Sequence, residues 1–226
     1  MPIFSLTEDL IFPDPSLAEN GILAIGGDLR PERLLLAYEH GIFPWYSADE
    51  PIVWHAPDPR FVLDPKNLKI SKSMQTVLRN HPYEVCLNRD FEQTISTCQQ
   101  INRKGEFDTW ITREIKDAYL KLHTMGFAHS VEVWHRGNLI GGLYGVNLGN
   151  IFYGESMFHK ESNTAKIALI KLIEHIPFKL IDCQVYTRHL ASLGATNIKL
   201  SAFRSIVTNE TKYPNLLNRN STFVLN

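Results

Sequence analysis

Ile151-Phe152-Tyr153-Gly154-Glu155-Ser156-Met157-Phe158 is the stretch of sequence on which the fold prediction rests. It places one carboxylate among residues that are otherwise apolar, aromatic or small. A β-strand over this stretch puts residues 151, 153, 155 and 157 on one face and residues 152, 154, 156 and 158 on the other. A buried carboxylate is unfavourable unless it is hydrogen-bonded or paired. Glu155 therefore belongs either to a structural ion pair or to a functional site.

A second stretch of the same kind is Leu180-Ile181-Asp182-Cys183-Gln184-Val185. The period of two puts Asp182 and Gln184 on one face of a strand over residues 179–185. Two mostly apolar strands that each carry polar side chains favour a functional site over a simple ion pair. Glu155, Asp182 and Gln184 are therefore the candidate catalytic residues.

Hydrophobic periodicity predicts the elements around these strands. Period two over residues 129–134, 139–146 and 151–158, with short Gly/Asn turns between them, predicts an antiparallel meander. The remaining periodic stretches predict helices at residues 31–40, 71–79, 88–101, 112–125, 163–175 and 189–193. Thr112 and Asn163 are the expected N-caps.

The order meander, helix, strand, helix resembles the core of the GCN5-related N-acetyltransferases. The expected fold class is therefore α+β: a small N-terminal domain plus a GCN5-related N-acetyltransferase-like domain with a central, largely antiparallel sheet flanked by helices. Those acetyltransferases hold coenzyme A pyrophosphate on a glycine-rich loop that opens a helix. Residues 157–166 contain no glycine, so we expect no acyl-CoA donor and no cofactor.

A chain of 226 residues makes one large or two smaller domains. Pro57 and Pro59 predict a boundary, with an acidic N-terminal domain at residues 1–59 and an acyltransferase-like domain at residues 60–226. The formal charges of these parts are −8 and +7, although the whole chain carries only −1. A basic body with an acidic lobe suits a protein that binds an anionic polymer on one part and a cation on the other. Ordinary surface scatter is the alternative.

Several classes of protein are not indicated by the sequence. No run of 18 apolar residues and no basic, apolar leader is present, so we expect neither membrane association nor secretion. The three cysteines form no CxxC pair and the nine histidines show no metal-ligand spacing. We therefore expect reduced thiols in a cytoplasmic protein and no metal site.

Two further groups of residues are candidates for binding. Residues 60–80 are basic, and Lys66, Lys69, Lys72 and Arg79 are the candidate nucleic-acid contacts; a solvated helix face explains the same charges as well. Aromatic residues mark either a pocket wall or plain core packing, and the candidates are Trp45, Trp110, Tyr119 and Phe152.

Seven blocks in order, spanning residues 20–195, resemble the bacterial leucyl/phenylalanyl-tRNA–protein transferases. They are Gly26-Gly27-Asp28-Leu29, Gly41-Ile42-Phe43-Pro44-Trp45, Pro57-Asp58-Pro59-Arg60, Thr109-Trp110-Ile111-Thr112, Gly154-Glu155-Ser156-Met157-Phe158, Leu180-Ile181-Asp182-Cys183-Gln184 and Ser192-Leu193-Gly194-Ala195. The resemblance implies an aminoacyltransferase that moves Leu or Phe, and Met less well, from aminoacyl-tRNA to the N-terminal α-amine of proteins beginning with Arg or Lys. The product would carry an N-terminal degradation signal.

The resemblance also implies an Asp–Gln relay in which Gln184 takes the proton of the amine. A neutral carboxamide is a very weak base, so we expect a different division of roles. Asp182 orients Gln184 and offsets the positive charge on the attacking nitrogen, Gln184 holds the amine by its carbonyl oxygen, and Glu155 anchors the donor ammonium or orders the site. Two other classes stay open, namely a non-catalytic RNA-binding module and a cell-wall branching transferase that also uses aminoacyl-tRNA.

Overall fold

Two β-sheets and the helices packed on them make up the described residues, which in this computed structural model are 3–101 and 110–225. Thr109, part of one of the matched blocks, lies outside them. The helices are α1 (Pro31–Glu39), α2 (Lys72–Asn80), α3 (Phe91–Gln100), α4 (Arg113–Thr124), α5 (Thr164–His175), α6 (Arg188–Ser192) and α7 (Leu200–Glu210). The strands are β1 (Phe4–Leu6), β2 (Ile22–Gly26), β3 (Phe43–Pro44), β4 (Val53–His55), β5 (Arg60–Leu63), β6 (Glu84–Leu87), β7 (Ala128–His135), β8 (Asn138–Leu148), β9 (Ile151–His159), β10 (Leu180–Asp182), β11 (Thr196–Ile198) and β12 (Phe223–Val224).

The larger sheet carries the predicted meander. Its strand order is β11-β5-β10-β9-β8-β7-β6-β12, and the smaller sheet has the order β1-β2-β4-β3. Strands β7, β8 and β9 pair antiparallel in sequence order, while β9 and β10 form the parallel pair of this sheet. The expected α+β class, with a largely antiparallel central sheet flanked by helices, is confirmed.

Helices cover both faces of the larger sheet. Helix α5 packs on one face, which we call the α5 face, through buried residues such as Ile167 and Ile170. Helices α1, α3, α4 and α7 pack on the other, which we call the α4 face. Both faces of the sheet therefore belong to the hydrophobic core. Burial of apolar surface there contributes about 25 cal/mol per Å² to stability.

The predicted helices are present, with small differences at their ends. Thr112 caps α4 as expected, because its hydroxyl accepts a hydrogen bond from the Ile115 amide at 3.2 Å. The prediction that Asn163 caps α5 through its side chain is wrong. Asn163 has a left-handed backbone with φ 71° and makes no such hydrogen bond.

The predicted alternation of faces in β9 is wrong beyond Gly154. Tyr144 of β8 pairs with Ser156 and Gly145 pairs with Gly154, so Glu155 is an extra residue in the ladder. Such a β-bulge reverses the face of every residue that follows it. Phe158 therefore packs in the same cluster as Ile151, on the α4 face, and not with Phe152.

The predicted strand over residues 179–185 is shorter than expected. Strand β10 ends at Asp182, and Gln184 has a positive φ of 62°. The amide of Val185 donates to the Cys183 carbonyl at 2.7 Å, which closes a tight turn around Gln184. Asp182 therefore belongs to the strand, whereas Gln184 lies beyond its end.

The boundary near residue 59 stays a prediction. The smaller sheet ends at His55 and the larger one begins at Arg60. One hydrophobic cluster nevertheless includes Trp54 from the first segment together with Tyr144 and Phe203 from the second. Within residues 3–101 and 110–225, none of the helices is long and apolar enough to cross a membrane.

Candidate active site

Glu155 is the centre of a buried hydrogen-bond cluster on the α4 face. The bulge in β9 turns its carboxylate toward two helices, where the Tyr38 hydroxyl of α1 donates to Oε1 at 2.8 Å and the Tyr119 hydroxyl of α4 donates to Oε2 at 2.9 Å. The two tyrosine hydroxyls also contact each other. Three elements that are far apart in sequence therefore hold this one carboxylate.

Burial raises the pKa of Glu155 to about 7, although the hydrogen bonds from Tyr38 and Tyr119 oppose the rise. Burial also raises the pKa of both tyrosines well above the ordinary value, and the nearby Glu155 adds to that rise. The phenols consequently act as donors at neutral pH. Glu155 is a carboxyl group that changes its charge in the neutral range, which is typical of functional sites.

Gln184 completes the cluster from the end of β10. Its side-chain amide nitrogen donates to Glu155 Oε1 at 2.9 Å. Because the nitrogen and the oxygen are separate groups of the side-chain amide, this bond uses the nitrogen and leaves the Gln184 carbonyl oxygen as an acceptor for another donor. A non-glycine residue with φ 62° is strained, and such strain is common at functional sites.

Asp182 contacts the backbone of Gln184 and is paired with an arginine. Its Oδ1 accepts the Gln184 amide at 2.9 Å and Arg60 Nε at 2.8 Å, while Oδ2 accepts the second Arg60 nitrogen at 2.6 Å. The side chains of Arg60 and Asp182 are both 0% exposed. The charge of Asp182 is thus directed at Arg60, and the residue holds Gln184 through the main chain.

The strands β9 and β10 separate beside these residues. Their last paired residues are Asp182 and Tyr153, so the edge of β9 has no β10 partner from Gly154 onward. A Cβ atom placed on Gly154 would approach only the Asp182 carbonyl, at 3.4 Å. This unpaired edge of β9, which we call the opening between β9 and β10, lies next to Glu155 and Gln184 and is therefore the candidate place for reacting groups.

The structure does not bring the four predicted aromatic residues to one place. Tyr119 lies in the Glu155 cluster, and Trp110 is half-buried against the same α4-face core. Trp45 is 43% exposed and rests against His55 at a ring distance of 5.6 Å. Phe152 lies on the α5 face against Phe178, so it cannot share a wall with the other three.

The four basic candidates all lie at the surface. Lys66 and Lys69 precede α2, while Lys72 and Arg79 belong to it. Lys72 and Arg79 are seven residues apart and therefore share one face of α2. Arg60, which the sequence groups with this basic stretch, is instead fully buried in the site.

Sequence reasoning missed two residues of the site. Arg60 stands in the block Pro57-Asp58-Pro59-Arg60, where the run of charges after it suggested a surface position. Tyr38 shares a helix face with Leu34, which predicts core packing but not its hydroxyl contact with Glu155. The rigid proline-flanked block was the available signal for Arg60, and α1 gave none for Tyr38.

Comparison with known proteins gives one family. Its profile, described as leucyl/phenylalanyl-tRNA protein transferase, matches residues 62–208, and the profile of that family's N-terminal domain matches residues 27–58. A leucyl/phenylalanyl-tRNA–protein transferase from Syntrophus aciditrophicus (strain SB) is 52% identical over 226 residues, covering 98% of this chain and 95% of that protein. The protein of the same name from Myxococcus xanthus (strain DK1622) is 48% identical over 220 residues, with coverages of 95% and 94%.

A solved structure of a GCN5-related N-acetyltransferase from Kribbella flavida also matches. It covers 74% of this chain and 60% of its own, with 9% sequence identity and a TM-score of 0.31. A likeness of that size carries no argument, so the fold class rests on the strand order described above.

Proposed function

This chain belongs to the leucyl/phenylalanyl-tRNA protein transferase family, and we propose that it transfers Leu or Phe from aminoacyl-tRNA to the N-terminal α-amine of proteins that begin with Arg or Lys. It is an aminoacyltransferase. Met serves as a weaker donor, and the product carries an N-terminal degradation signal. Aminoacyl-tRNA is made in the cytoplasm, where we place the reaction.

The observation that carries this proposal is the Glu155–Gln184 hydrogen bond beside the unpaired edge of β9. The site holds groups that can orient an amine, and it offers no activated nucleophile among its described residues. Burial raises the pKa of the nearby Cys183 thiol, which keeps it protonated and unreactive. Direct attack of the amine on the ester therefore fits the site better than a covalent enzyme intermediate. The C–N bond forms as the ester C–O bond breaks, and the ribose oxygen of the tRNA leaves as a hydroxyl with the proton that the amine loses.

The chemistry requires little activation. An aminoacyl ester is already reactive, and an α-amine with a pKa of about 7.7–8.0 is partly neutral at cytoplasmic pH. Holding the two together supplies an effective molarity as high as about 10⁵–10⁸ M in favourable cases. Positioning is consequently the main task of the site.

We assign Gln184 the role of holding the amine. Its carbonyl oxygen accepts a hydrogen bond from the attacking nitrogen while its amide nitrogen donates to Glu155. An ionised Glu155 polarises this amide and makes the oxygen a stronger acceptor as positive charge grows on the nitrogen. Asp182, whose charge is paired with Arg60, holds the Gln184 backbone and does not itself face the ammonium.

We propose that the donor side chain occupies the α5 side of the opening. Phe152, Ile181 and the half-buried Met157 are apolar and lie in the α5-face cluster. The α4 side instead presents a carboxylate and two phenols around Glu155. An apolar Leu or Phe side chain prefers the first environment, which leaves Trp45 and Trp110 for stacking with other parts of the donor.

The exposed positions of Lys66, Lys69, Lys72 and Arg79 support contact with tRNA phosphates. Phosphate contacts position a nucleic acid without reading its sequence.

For the acceptor, Glu39 at the end of α1 is the acidic residue of the first segment that we assign to the Arg or Lys side chain. It is exposed, and it lies near enough to Tyr153 to contribute, after burial and Asp182, to the raised pKa of that phenol.

The test is to incubate the purified protein with leucyl-tRNA and a peptide that begins with Arg. Mass spectrometry should show one added leucyl residue at the peptide N-terminus. Binding of tRNA without transfer would support an RNA-binding module instead. Transfer only to a cell-wall precursor amine would support a branching transferase.

A further inference from the structure

We propose that Arg60 is a positioning residue of the transfer reaction, which acts through Asp182 to fix the backbone turn that presents Gln184. The inference rests on the proposed function, because it assigns a role within that reaction. The side chain of Arg60 is fully buried, and its charged contact is with Asp182. Its effect reaches the amine through two other residues.

Arg60 fixes both oxygens of the Asp182 carboxylate. Its Nε and one terminal nitrogen donate to Oδ1 and Oδ2 at 2.8 and 2.6 Å, so the two planar groups meet side by side. The same Oδ1 accepts the Gln184 amide at 2.9 Å. The orientation of the carboxylate therefore sets where the Gln184 amide can lie.

This amide belongs to the strained turn at Gln184. A residue with φ 62° reverts to an extended conformation unless surrounding contacts hold it. Because φ sets the direction of the Cα–Cβ bond, an extended backbone at residue 184 would change the orientation in which the Gln184 side-chain amide donates to Glu155. The Asp182 contact acts together with the Val185–Cys183 bond that closes the turn, and it is the side-chain contact that holds the Gln184 backbone amide in place.

The guanidinium is itself held by three other residues. Its remaining nitrogen donates to the Gly41 carbonyl at 3.1 Å, and its flat face lies between the rings of Phe43 and Phe203, at 4.6 and 4.7 Å from their centroids. The neighbouring Asp58 caps α7 by accepting the Leu200 amide at 3.0 Å. Lysine cannot reproduce a paired contact and a flat cation between two rings.

The experiment compares Arg60→Met, Arg60→Lys, Asp182→Asn and the double variant that combines Arg60→Met with Asp182→Asn. Arg204→Met is the matched control, because Arg204 also joins the first segment to α7, through an exposed pair with Asp14 at 3.0 Å. For each, kcat and KM are measured on leucyl-tRNA and an Arg-starting peptide, and the folded fraction is measured by thermal unfolding.

We expect Arg60→Met to lower kcat per folded molecule by about 100-fold with KM changed by less than about threefold, since a small misplacement of a reacting group costs that much. Arg60→Lys should fall between this variant and the wild type. The double variant should recover at least about tenfold over Arg60→Met, because the asparagine introduced in place of Asp182 still accepts the Gln184 amide and no unpaired charge stays buried. Arg204→Met should keep the wild-type kcat.

A purely structural role predicts a different pattern. Thermal stability would then fall in the Arg60 variants while kcat per folded molecule stayed at the wild-type value, and that result would overturn the proposal. So would a double variant whose kcat is the simple product of the two single effects. If Arg60→Met does not fold, Arg60→Lys and the double variant decide the matter. An inactive wild type would refute the proposed function rather than this inference.

Discussion

The side-chain amide of Gln184 donates to Oε1 of Glu155 across 2.9 Å, although the residues are 29 positions apart in the sequence. The bond joins the bulged residue of β9 to the strained turn that follows β10. Both residues lie outside the regular hydrogen-bond ladder of the sheet. The geometry of the site is therefore built from two local exceptions to strand structure.

The first prediction concerns the pH dependence of Glu155. Because burial raises its pKa to about 7, Glu155 is protonated below that pH and ionised above it. The wild-type kcat/KM should rise with pH through about 7 and again near 8, where the acceptor amine loses its proton. Glu155→Gln should lack the lower step and be about 100-fold slower at pH 8. Rates between pH 5.5 and 9.5 check this.

Stability gives an independent readout for the same variant. Between pH 4.5 and about 7 the folded state keeps a proton on Glu155 that the unfolded chain has lost. The free energy of unfolding must fall as pH rises across that window. Urea unfolding at pH 4.5 and 8 should show this fall reduced in Glu155→Gln. Identical pH profiles for the two proteins would contradict the assignment.

The second prediction separates Asp182 from Gln184. Asp182→Asn leaves Arg60 buried without its counter-charge, which should cost about 3–5 kcal/mol of stability. Gln184→Glu instead places a second carboxylate beside Glu155, and like charges raise the pKa of such a pair. Its activity should therefore be low at pH 7 and measurable at pH 9. A Gln184→Glu enzyme that is inactive at every pH, beside a normal Asp182→Asn enzyme, would reverse our assignment.

The third prediction concerns donor choice. Leu, Met and Phe should be transferred at overlapping rates, whereas the β-branched Val and Ile should be poor donors. Phe152→Ala should change the ratio of Phe to Leu transfer, within the roughly 1–3 kcal/mol that such apolar slots discriminate. Trp45→Ala should slow all donors equally, because Trp45 lies away from the α5 face. Equal transfer of Ile and Leu by the wild type would rule out the slot.

The fourth prediction concerns tRNA. Replacing Lys66, Lys69, Lys72 and Arg79 by Ala should weaken tRNA binding and flatten its dependence on salt by about 0.7–0.9 per lost phosphate contact. The loss should be similar for tRNAs of different acceptor-stem sequence. A control variant removes four other exposed cations, Arg136, Lys179, Lys212 and Arg219. Equal salt slopes for the two variants would place the tRNA surface elsewhere.

The fifth prediction concerns the acceptor. Glu39→Gln should lower transfer to Arg-starting peptides by about twofold to fivefold, as expected for an exposed charge pair, with little effect on an Ala-starting peptide. Glu32→Gln, on the same helix and also exposed, is the control. Comparable transfer to Arg-starting and Ala-starting peptides by the wild type would show that no carboxylate selects the acceptor.

The sequence predicts the regular part of the fold well and its exceptions poorly. The meander and helices α1, α2 and α4 follow from periodicities of two and 3.6 together with clear caps. The bulge at Glu155 could not be predicted, because a bulge adds one residue without changing composition. Helix α7 and the short strand β5 were not identified. Their apolar residues pack against Arg60 and the rest of the core, and no local pattern shows that packing.

The site was predicted by type of residue and not by arrangement. Carboxylate and amide groups on apolar strands located Glu155, Asp182 and Gln184. The sequence could not show that Asp182 forms an ion pair with Arg60, because the two residues are 122 positions apart. A charge pair of that span depends on tertiary packing, which no local pattern records.

The placement of Arg60 between Phe43 and Phe203 also constrains how the protein matures during synthesis. The chain leaves the ribosome from its N-terminus at about 5–20 residues per second. Until α7 has emerged, the guanidinium lacks one of its two rings and Asp58 has no helix to cap. Nascent or prematurely terminated chains that stop before Phe203 would contain every catalytic residue and yet lack the assembled centre, so incomplete molecules would not modify other proteins.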